Sequence, residues 1–342
     1  MGNKSLRQAR KAKNDEFYTQ LSTIENEVRH YRKHFKGKTV YLNCDDPRES
    51  NFFHYFSYNF ERLGLKKLIA SCYKSQDFNL FSLHDVNEKA VWLEYTGEKD
   101  GGRVPTAEAI GVNYFEGDGD FRSEESIELL KEADIVVTNP PFSLFREYIA
   151  QLMEYDKKFL VLGNMNAITY KEIFPYIKDN KLWPGTAFRQ VTEFKVPRDI
   201  TLLSSSSRED SDGNKFIKVQ GITWWTNLDY GRSCDDIELT KVYSGNEDKY
   251  PKYDNYDAIN VNKVAEIPKD YSGAMGVPIT FIGKWNPEQF EILGQTHSWD
   301  DNNLYNEKLK TTDPILNGEG LYARLLIQNK RLNPDIYGGE QS

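Results

Sequence analysis

Apolar and polar positions alternate between two periods over the first 180 residues of this chain. A helical spacing runs from about Ile24 to Phe35 and stops at Gly37 and Lys38. Thr39-Val40-Tyr41-Leu42-Asn43 then reads as a short buried strand. Cys44-Asp45-Asp46-Pro47 is a turn, because Asp and Pro both favour one. A second helix is expected from about Glu49 to Leu63, with Gly64 as its stop, and a second strand at Lys67–Cys72. Residues 74–111 are less regular, with a strand at Ala90–Tyr95 and a turn at Gly101-Gly102. Gly111–Phe115 is the next expected strand, leading into Gly117-Asp118-Gly119-Asp120-Phe121 and a helix over Ser123–Glu132. Asp134-Ile135-Val136-Val137-Thr138 is a compact apolar strand that ends in Asn139-Pro140-Pro141-Phe142. A helix over Ser143–Tyr155, a strand at Phe159–Gly163 and a helix over Tyr170–Asn180 complete the series.

Strands alternating with helices predict an α/β fold with a parallel, doubly wound sheet. The strands are short and apolar without polar alternation, which fits burial on both faces. After residue 181 the alternation fails. Ile222-Thr223-Trp224-Trp225-Thr226 is a clear strand, expected to be antiparallel and near the sheet edge, with a polar loop (Ser204–Asn214) before it. Trp224 and Trp225 point to opposite faces, so one of them is expected in the core. From 236 onward the chain is rich in Tyr, Asp, Asn and Lys, which suggests a smaller, less regular domain. The boundaries read as a basic arm at 1–14, a catalytic domain at 15–235 and a further region at 236–342.

Composition changes this picture in three places. No apolar run is long enough to span a membrane, and the N-terminus lacks the apolar stretch of a secretory signal, so a cytoplasmic location is expected. The three cysteines, Cys44, Cys72 and Cys234, suggest neither a disulfide framework nor a zinc site, and no metal is expected. The net charge of −8 argues at first against nucleic acid. The charge is uneven, however. Lys4, Arg7, Arg10, Lys11 and Lys13 form an N-terminal arm without an acid, either a phosphate-contacting arm or a solubilising tail.

The chemistry concentrates after the strands, where an open parallel sheet binds its ligands. The side-chain oxygen of Asn139 and the carbonyl of Pro140 can both accept hydrogen bonds from one NH2 group. Two such acceptors draw the nitrogen lone pair out of conjugation and make it a better nucleophile toward a methyl sulfonium. Pro140 and Pro141 fix the backbone that presents them. Phe142 offers a flat face to a flipped base. The plain alternative is a Pro-Pro turn with Phe142 in the core; the strand before and the helix after favour chemistry. Upstream, Asp120 can accept from the amino group of a cofactor adenine and Phe121 can pack on that ring, with Asp118 in the same turn. Asp45 or Asp46 could bind a methionine ammonium group; an Asp-Pro turn with a helix cap is the equal alternative.

At these residues the chain resembles the EcoRI-type adenine-specific DNA methyltransferase family. The segments Asp15–Gln20, Tyr41–Phe53, Gly117–Ser123 and Asp134–Tyr148 are similar to it in order and spacing. So are Tyr250–Val261, Met275–Phe281 and Asn286–Phe290. The resemblance implies a Rossmann-like class I methyltransferase sheet with a smaller C-terminal target-recognition region. It implies S-adenosyl-L-methionine as cofactor and double-stranded DNA as partner, in a restriction-modification setting. Tyr18 and Thr19 would fold back against the cofactor pocket. Cys44, Asp45, Asp46 and Pro47 would form the methionine loop, Asp118, Asp120 and Phe121 the adenine site, and Asn139 to Phe142 the catalytic loop, Asn139 bordering the cofactor too. The first loop has no glycine, and no carboxylate ends the second strand; Asp77 comes several residues later. Cytosine N4, an RNA adenine and a protein glutamine amide are rival acceptors, and a catalytically silent DNA-binding subunit is a rival of another class. No obligate protein partner is implied, and a monomer would suffice. In the C-terminal region Lys241, Lys249, Lys252, Lys263, Lys269, Lys284, Lys308, Lys310, Arg324, Lys330 and Arg331 are candidate phosphate or base contacts.

Overall fold

The computed structural model describes residues 18–43, 45–73, 89–190, 192–196, 207–232, 235–297, 299–300, 302, 304 and 313–332. The basic arm, Phe17, Cys44, Asp77, Cys234, Lys308 and Lys310 lie outside the described residues, as does the side chain of Tyr18. The chain forms two compact units, 1–165 with 184–230 and 166–183 with 231–342.

The strands up to residue 226 are, in order, β1 (Tyr18–Thr19), β2 (Thr39–Asn43), β3 (Lys67–Cys72), β4 (Val91–Tyr95), β5 (Asn113–Tyr114), β6 (Ile135–Thr138), β7 (Lys158–Asn164), β8 (Trp183–Pro184), β9 (Thr192–Val196), β10 (Ser207–Glu209), β11 (Lys215–Val219) and β12 (Ile222–Thr226). Eight of them form one sheet in the order β5-β4-β3-β2-β6-β7-β12-β8. Its centre is parallel: β2 pairs with β3 and with β6, and β6 with β7. The order reverses at β2, which leaves a crevice at the carboxyl ends of β2 and β6.

Both faces of this sheet are covered. Val40, Leu42, Leu68, Ala70, Val137, Leu160, Leu162 and Trp224 point to one face, in a single apolar cluster with residues of the helices Leu21–Val28 and Asn51–Tyr58. Tyr41, Ile69, Val136, Phe159, Val161 and Trp225 alternate with them and are also buried. The helices Glu124–Glu132 and Phe145–Glu154 contact β2 and β7 respectively. Trp224 and Trp225 are therefore both core, not one of the two, because neither face of β12 meets solvent. Fully burying a large apolar side chain stabilises by roughly 1.5–3 kcal/mol, so the pair anchors the antiparallel strand on β7.

Several expected elements are shorter than their patterns. The helix expected over Ile24–Phe35 is broken into Leu21–Val28 and Arg32–Phe35, and the one over Glu49–Leu63 into Asn51–Tyr58 and Phe60–Leu63. The strand expected at Gly111–Phe115 is only the exposed pair Asn113–Tyr114, antiparallel to β4, which is itself antiparallel to β3. Asp120 thus follows an edge hairpin rather than a parallel strand.

A second sheet, β1-β9-β11-β10, is entirely antiparallel. Part of the expected polar loop belongs to it: Ser207–Glu209 is a strand, and Asp210 caps the turn to β11 through the backbone N–H groups of Asp212 and Asn214. The second unit holds β13 (Ile259–Asn260), β14 (Met275–Pro278), β15 (Phe290–Gln295), the hairpin β16 (Ile315–Leu316) and β17 (Glu319–Gly320), and β18 (Arg324–Asn329). Its main sheet runs β13-β14-β18-β15. Buried Asn255 fixes the hairpin, donating to the Asp313 carbonyl and accepting from the Ile315 N–H.

Candidate active site

The carboxyl ends of β2, β3 and β6 converge on a narrow cleft lined by Leu42, Asn43, Asp45, Ser50, Phe52, Ala70 and Thr138. The turn after β2 separates its two aspartates. Asp46 accepts from the backbone N–H and the guanidinium of Arg48, with an ion pair of 2.5 Å. Asp45 lines the cleft, with Ser50 Oγ at 3.5 Å from its Oδ2. Pro47 is buried behind them. Ser50 also caps the helix Asn51–Tyr58 by accepting from the Phe53 N–H. Asn51 Nδ2 donates to the Thr19 carbonyl at 2.8 Å, which ties β1 to the rim of the cleft. Thr19 is 2 % exposed and its hydroxyl finds no hydrogen-bond partner among the described residues.

Asn139 follows β6 directly and is half-buried, with its Oδ1 shielded from solvent. Pro140 is buried, Pro141 half-buried, and the Pro141 carbonyl accepts from the Leu144 N–H at 3.0 Å in the short 3₁₀ turn Phe142–Leu144. Phe142 is half-buried and leans on the core cluster. The helix Phe145–Glu154 begins at once, and Phe145 packs where a Cβ on Gly163 of β7 would stand 2.3 Å from its ring. Only a residue without a side chain at 163 lets this helix, and the loop before it, lie so close to the sheet.

The loop Gly117–Arg122 returns to the same edge. Gly119 (φ +73°) lies against the Cys72 carbonyl at the end of β3, where a Cβ would come within 2.8 Å. Asp118 accepts from the Asp120 N–H. Asp120 is gripped by Arg122, which donates from its backbone N–H and Nε to Oδ1 and from Nη2 to Oδ2, all at 2.8–2.9 Å. Those bonds hold the Asp120 carboxyl below its ordinary pKa, so it stays anionic at neutral pH. Arg122 also reaches Glu147 at 2.7 Å and stacks over Phe121 at 5.2 Å.

Tyr148 joins the three segments. Its ring meets Phe121 edge to face at 5.1 Å, and its hydroxyl donates to the Asn43 side-chain oxygen. Thr138 donates to the Asn43 carbonyl, which ties β6 to β2. Thr19, Asp45, Asp46, Pro47, Asp118, Asp120, Phe121 and Asn139 to Phe142 all fall in one unit, with Tyr18 beside Thr19 in backbone trace, and of these Asp45 is the one that lines the cleft. Ser50, Phe52, Arg122, Glu147 and Tyr148 join them without a motif of their own. For Ser50 the signal was a helix cap; for Tyr148, a position on the apolar face of its helix.

The residues fit S-adenosylmethionine. A cleft-lining carboxylate suits its ammonium group, the buried Thr19 hydroxyl has no hydrogen-bond partner among the described residues, and the Asp120 carboxylate suits an adenine amino group. Among the described residues no group of His, Cys, Asp and Glu could hold a metal, and no helix is long and apolar enough to cross a membrane.

Comparison with known proteins identifies the family. The profile of the family described as adenine-specific methyltransferase EcoRI matches residues 5–330. The chain is 53% identical to the type II methyltransferase M.EcoRI of Escherichia coli, over 96% of this chain and 98% of that protein. It is 40% identical to M.MgeORF184P of Mycoplasma genitalium, over 95% and 98% of the two chains. It is 43% identical to M.MpnI of Mycoplasma pneumoniae, over 83% of each. No solved structure matches. With its class I methyltransferase sheet and a match along almost its whole length, the chain belongs to the EcoRI family of adenine-specific methyltransferases.

Proposed function

We propose that this enzyme transfers a methyl group from S-adenosylmethionine to the N6 amino group of an adenine flipped out of duplex DNA. The observation that carries the reading is the Asn139-Pro140-Pro141-Phe142 loop at the carboxyl end of β6, in a chain of an adenine-specific methyltransferase family. Asn139 Oδ1 and the Pro140 carbonyl accept from the target amino group and localise its lone pair on nitrogen. Shielding of Oδ1 from solvent supports this role, since a hydrogen bond at a water-excluded site is electrostatically stronger. Phe142 stacks on the base. Asp45 binds the cofactor's ammonium group, and Asp120 and Phe121 hold its adenine. Bound S-adenosylmethionine supplies the methyl as a sulfonium electrophile with a neutral thioether leaving group. The region from 236 to 342 reads the target sequence, and a monomer suffices because hemimethylated DNA presents one strand to modify.

The test is transfer of labelled methyl from S-adenosylmethionine to duplex DNA, followed by nucleoside analysis. Label is expected in N6-methyladenine. Asn139→Ala should lower turnover at least 100-fold, the scale of losing a positioned acceptor at the reacting atom, with cofactor binding nearly unchanged. Near-normal turnover in that variant would refute the assigned role.

A further inference from the structure

Residues 185–221 lie between β8 and β12, which are neighbours in the main sheet. A short connection would join them; this one carries β9, β10 and β11. The inner face of the resulting sheet, with β1 at its other edge, is accounted for by packing: Phe194, Val196 and Val219 belong to the main apolar cluster. Its outer face has a different chemistry. Lys195, Phe216 and Arg208 stand opposite one another across three strands, and Glu193 faces Lys218 in another cross-strand pair. Arg208 lies over the Phe216 ring at 4.1 Å and holds both Glu193 oxygens, at 3.0 and 2.6 Å. The one carboxylate of these rows is thus matched by Arg208. Lys195 and Lys218 are both exposed; Lys218 adds only a through-space attraction to Glu193, and Lys195 forms no ion pair among the described residues.

The sheet lies at the catalytic edge of its unit. On one side β11 leads through Gln220 and Gly221 into β12, and the Gly221 carbonyl accepts from the Met165 N–H just beyond β7. Ile222 faces Asn164 across that strand pair, and Thr138 faces Val161 across β6 and β7. The base of the sheet is therefore about 10 Å, two strand spacings, to the side of the β6 strand that ends at Asn139. On the other side β1 is bonded to Asn51, whose neighbours Ser50 and Phe52 line the cleft.

We propose that the outer face of the sheet β1-β9-β11-β10 docks the phosphate backbone of duplex DNA, with Lys195 and Lys218 as phosphate-binding cations. The proposal rests on the reading of duplex DNA as substrate. A base extruded to Asn139 leaves its duplex above this edge, where one charge lies on roughly every 1.7 Å of helix axis. Lysines on a sheet face neutralise phosphates without reading bases, so their contribution is independent of sequence.

The test is anisotropy titration of the full-length protein with a cognate and an unrelated duplex of equal length across a salt series. For the double variant K195A/K218A the slope of log K against log salt should become shallower by about two, one per lysine. Affinity should fall equally on both duplexes, and S-adenosylmethionine binding and the circular dichroism spectrum should be unchanged. K36A/K66A, at exposed positions before the amino ends of β2 and β3, should leave the slope at the wild-type value. An unchanged slope in K195A/K218A, with wild type binding normally, overturns this proposal alone. So does a loss confined to the cognate duplex, which would make the lysines base readers. A wild type that binds no duplex at all overturns the substrate reading and the proposal with it.

Discussion

Asp46 commits its carboxylate to Arg48, accepting at both oxygens, whereas Asp45, one residue earlier, lines the cleft. Sequence cannot rank the two, because both stand in the same turn after the same strand. The difference is made by an arginine two positions on and by the direction the turn gives each side chain. If Asp45 binds the cofactor's ammonium group, Asp45→Ala removes a charge-assisted hydrogen bond, on the order of 1.5–3 kcal/mol, or about 10- to 100-fold in affinity. Asp46→Ala frees Arg48 and loosens the turn but takes nothing from the cleft, and should change affinity by about threefold or less, within the range of a surface ion pair. Calorimetric titration of both variants with S-adenosylhomocysteine decides between them; a larger loss in Asp46→Ala would reverse the assignment.

At the scale of elements, the helix Phe145–Glu154 holds the loop that carries Asp120. Glu147 takes Arg122, Tyr148 meets Phe121, and Gln151 donates to the Phe121 carbonyl at 3.0 Å. Residues 147, 148 and 151 share one helix face, so a single element positions both the loop before it, Asn139 to Phe142, and the loop Gly117–Arg122. The loop proposed as catalytic stands out in the sequence because an uninterrupted apolar strand leads straight into it. The approach to Asp120 does not, because Asn113–Tyr114 is an exposed edge pair with no burial pattern to read. The Asp120–Arg122 bonds also have a pH signature. The folded-state pKa of Asp120 is depressed, so its stabilisation is fully present above the unfolded value, about 3.9, and is lost as pH falls through the folded value. Asp120→Asn should therefore destabilise by a constant amount between pH 5 and 7, by roughly 1 kcal/mol or less given the half-exposed Arg122, and by progressively less toward pH 3. Urea unfolding across that range tests it; a difference that grew on acidification would contradict the sign.

For the molecule as a whole, the doubly wound sheet was readable because its central strands are apolar on both faces, and Trp224-Trp225 in β12 shows how far that burial extends. The region after 236 was readable only as irregular, since its sheet pairs strands distant in sequence, β14 and β15 each with β18, and its loops carry the polar residues. Every residue assigned to cofactor or catalysis falls in the unit 1–165 with 184–230, and none in 166–183 with 231–342. That partition has a thermodynamic consequence. A ligand that binds only the folded form of one unit stabilises that unit by RT ln(1 + [L]/Kd), about 2.7 kcal/mol at a hundredfold excess over Kd. Hydrogen exchange with and without saturating S-adenosylmethionine should show slower exchange in β2, β3, β6 and β7, by up to about 100-fold for amides that exchange through unfolding of the unit. Amides of β14, β15 and β18 should exchange at unchanged rates, because the core around Tyr253, Ala258 and Leu326 has no group in the cleft. Equal slowing in both sets would mean that the two units unfold as one. Slowing in β14, β15 and β18 alone would move the cofactor site out of the first unit, and the roles of Asp45 and Asp120 would fall with it.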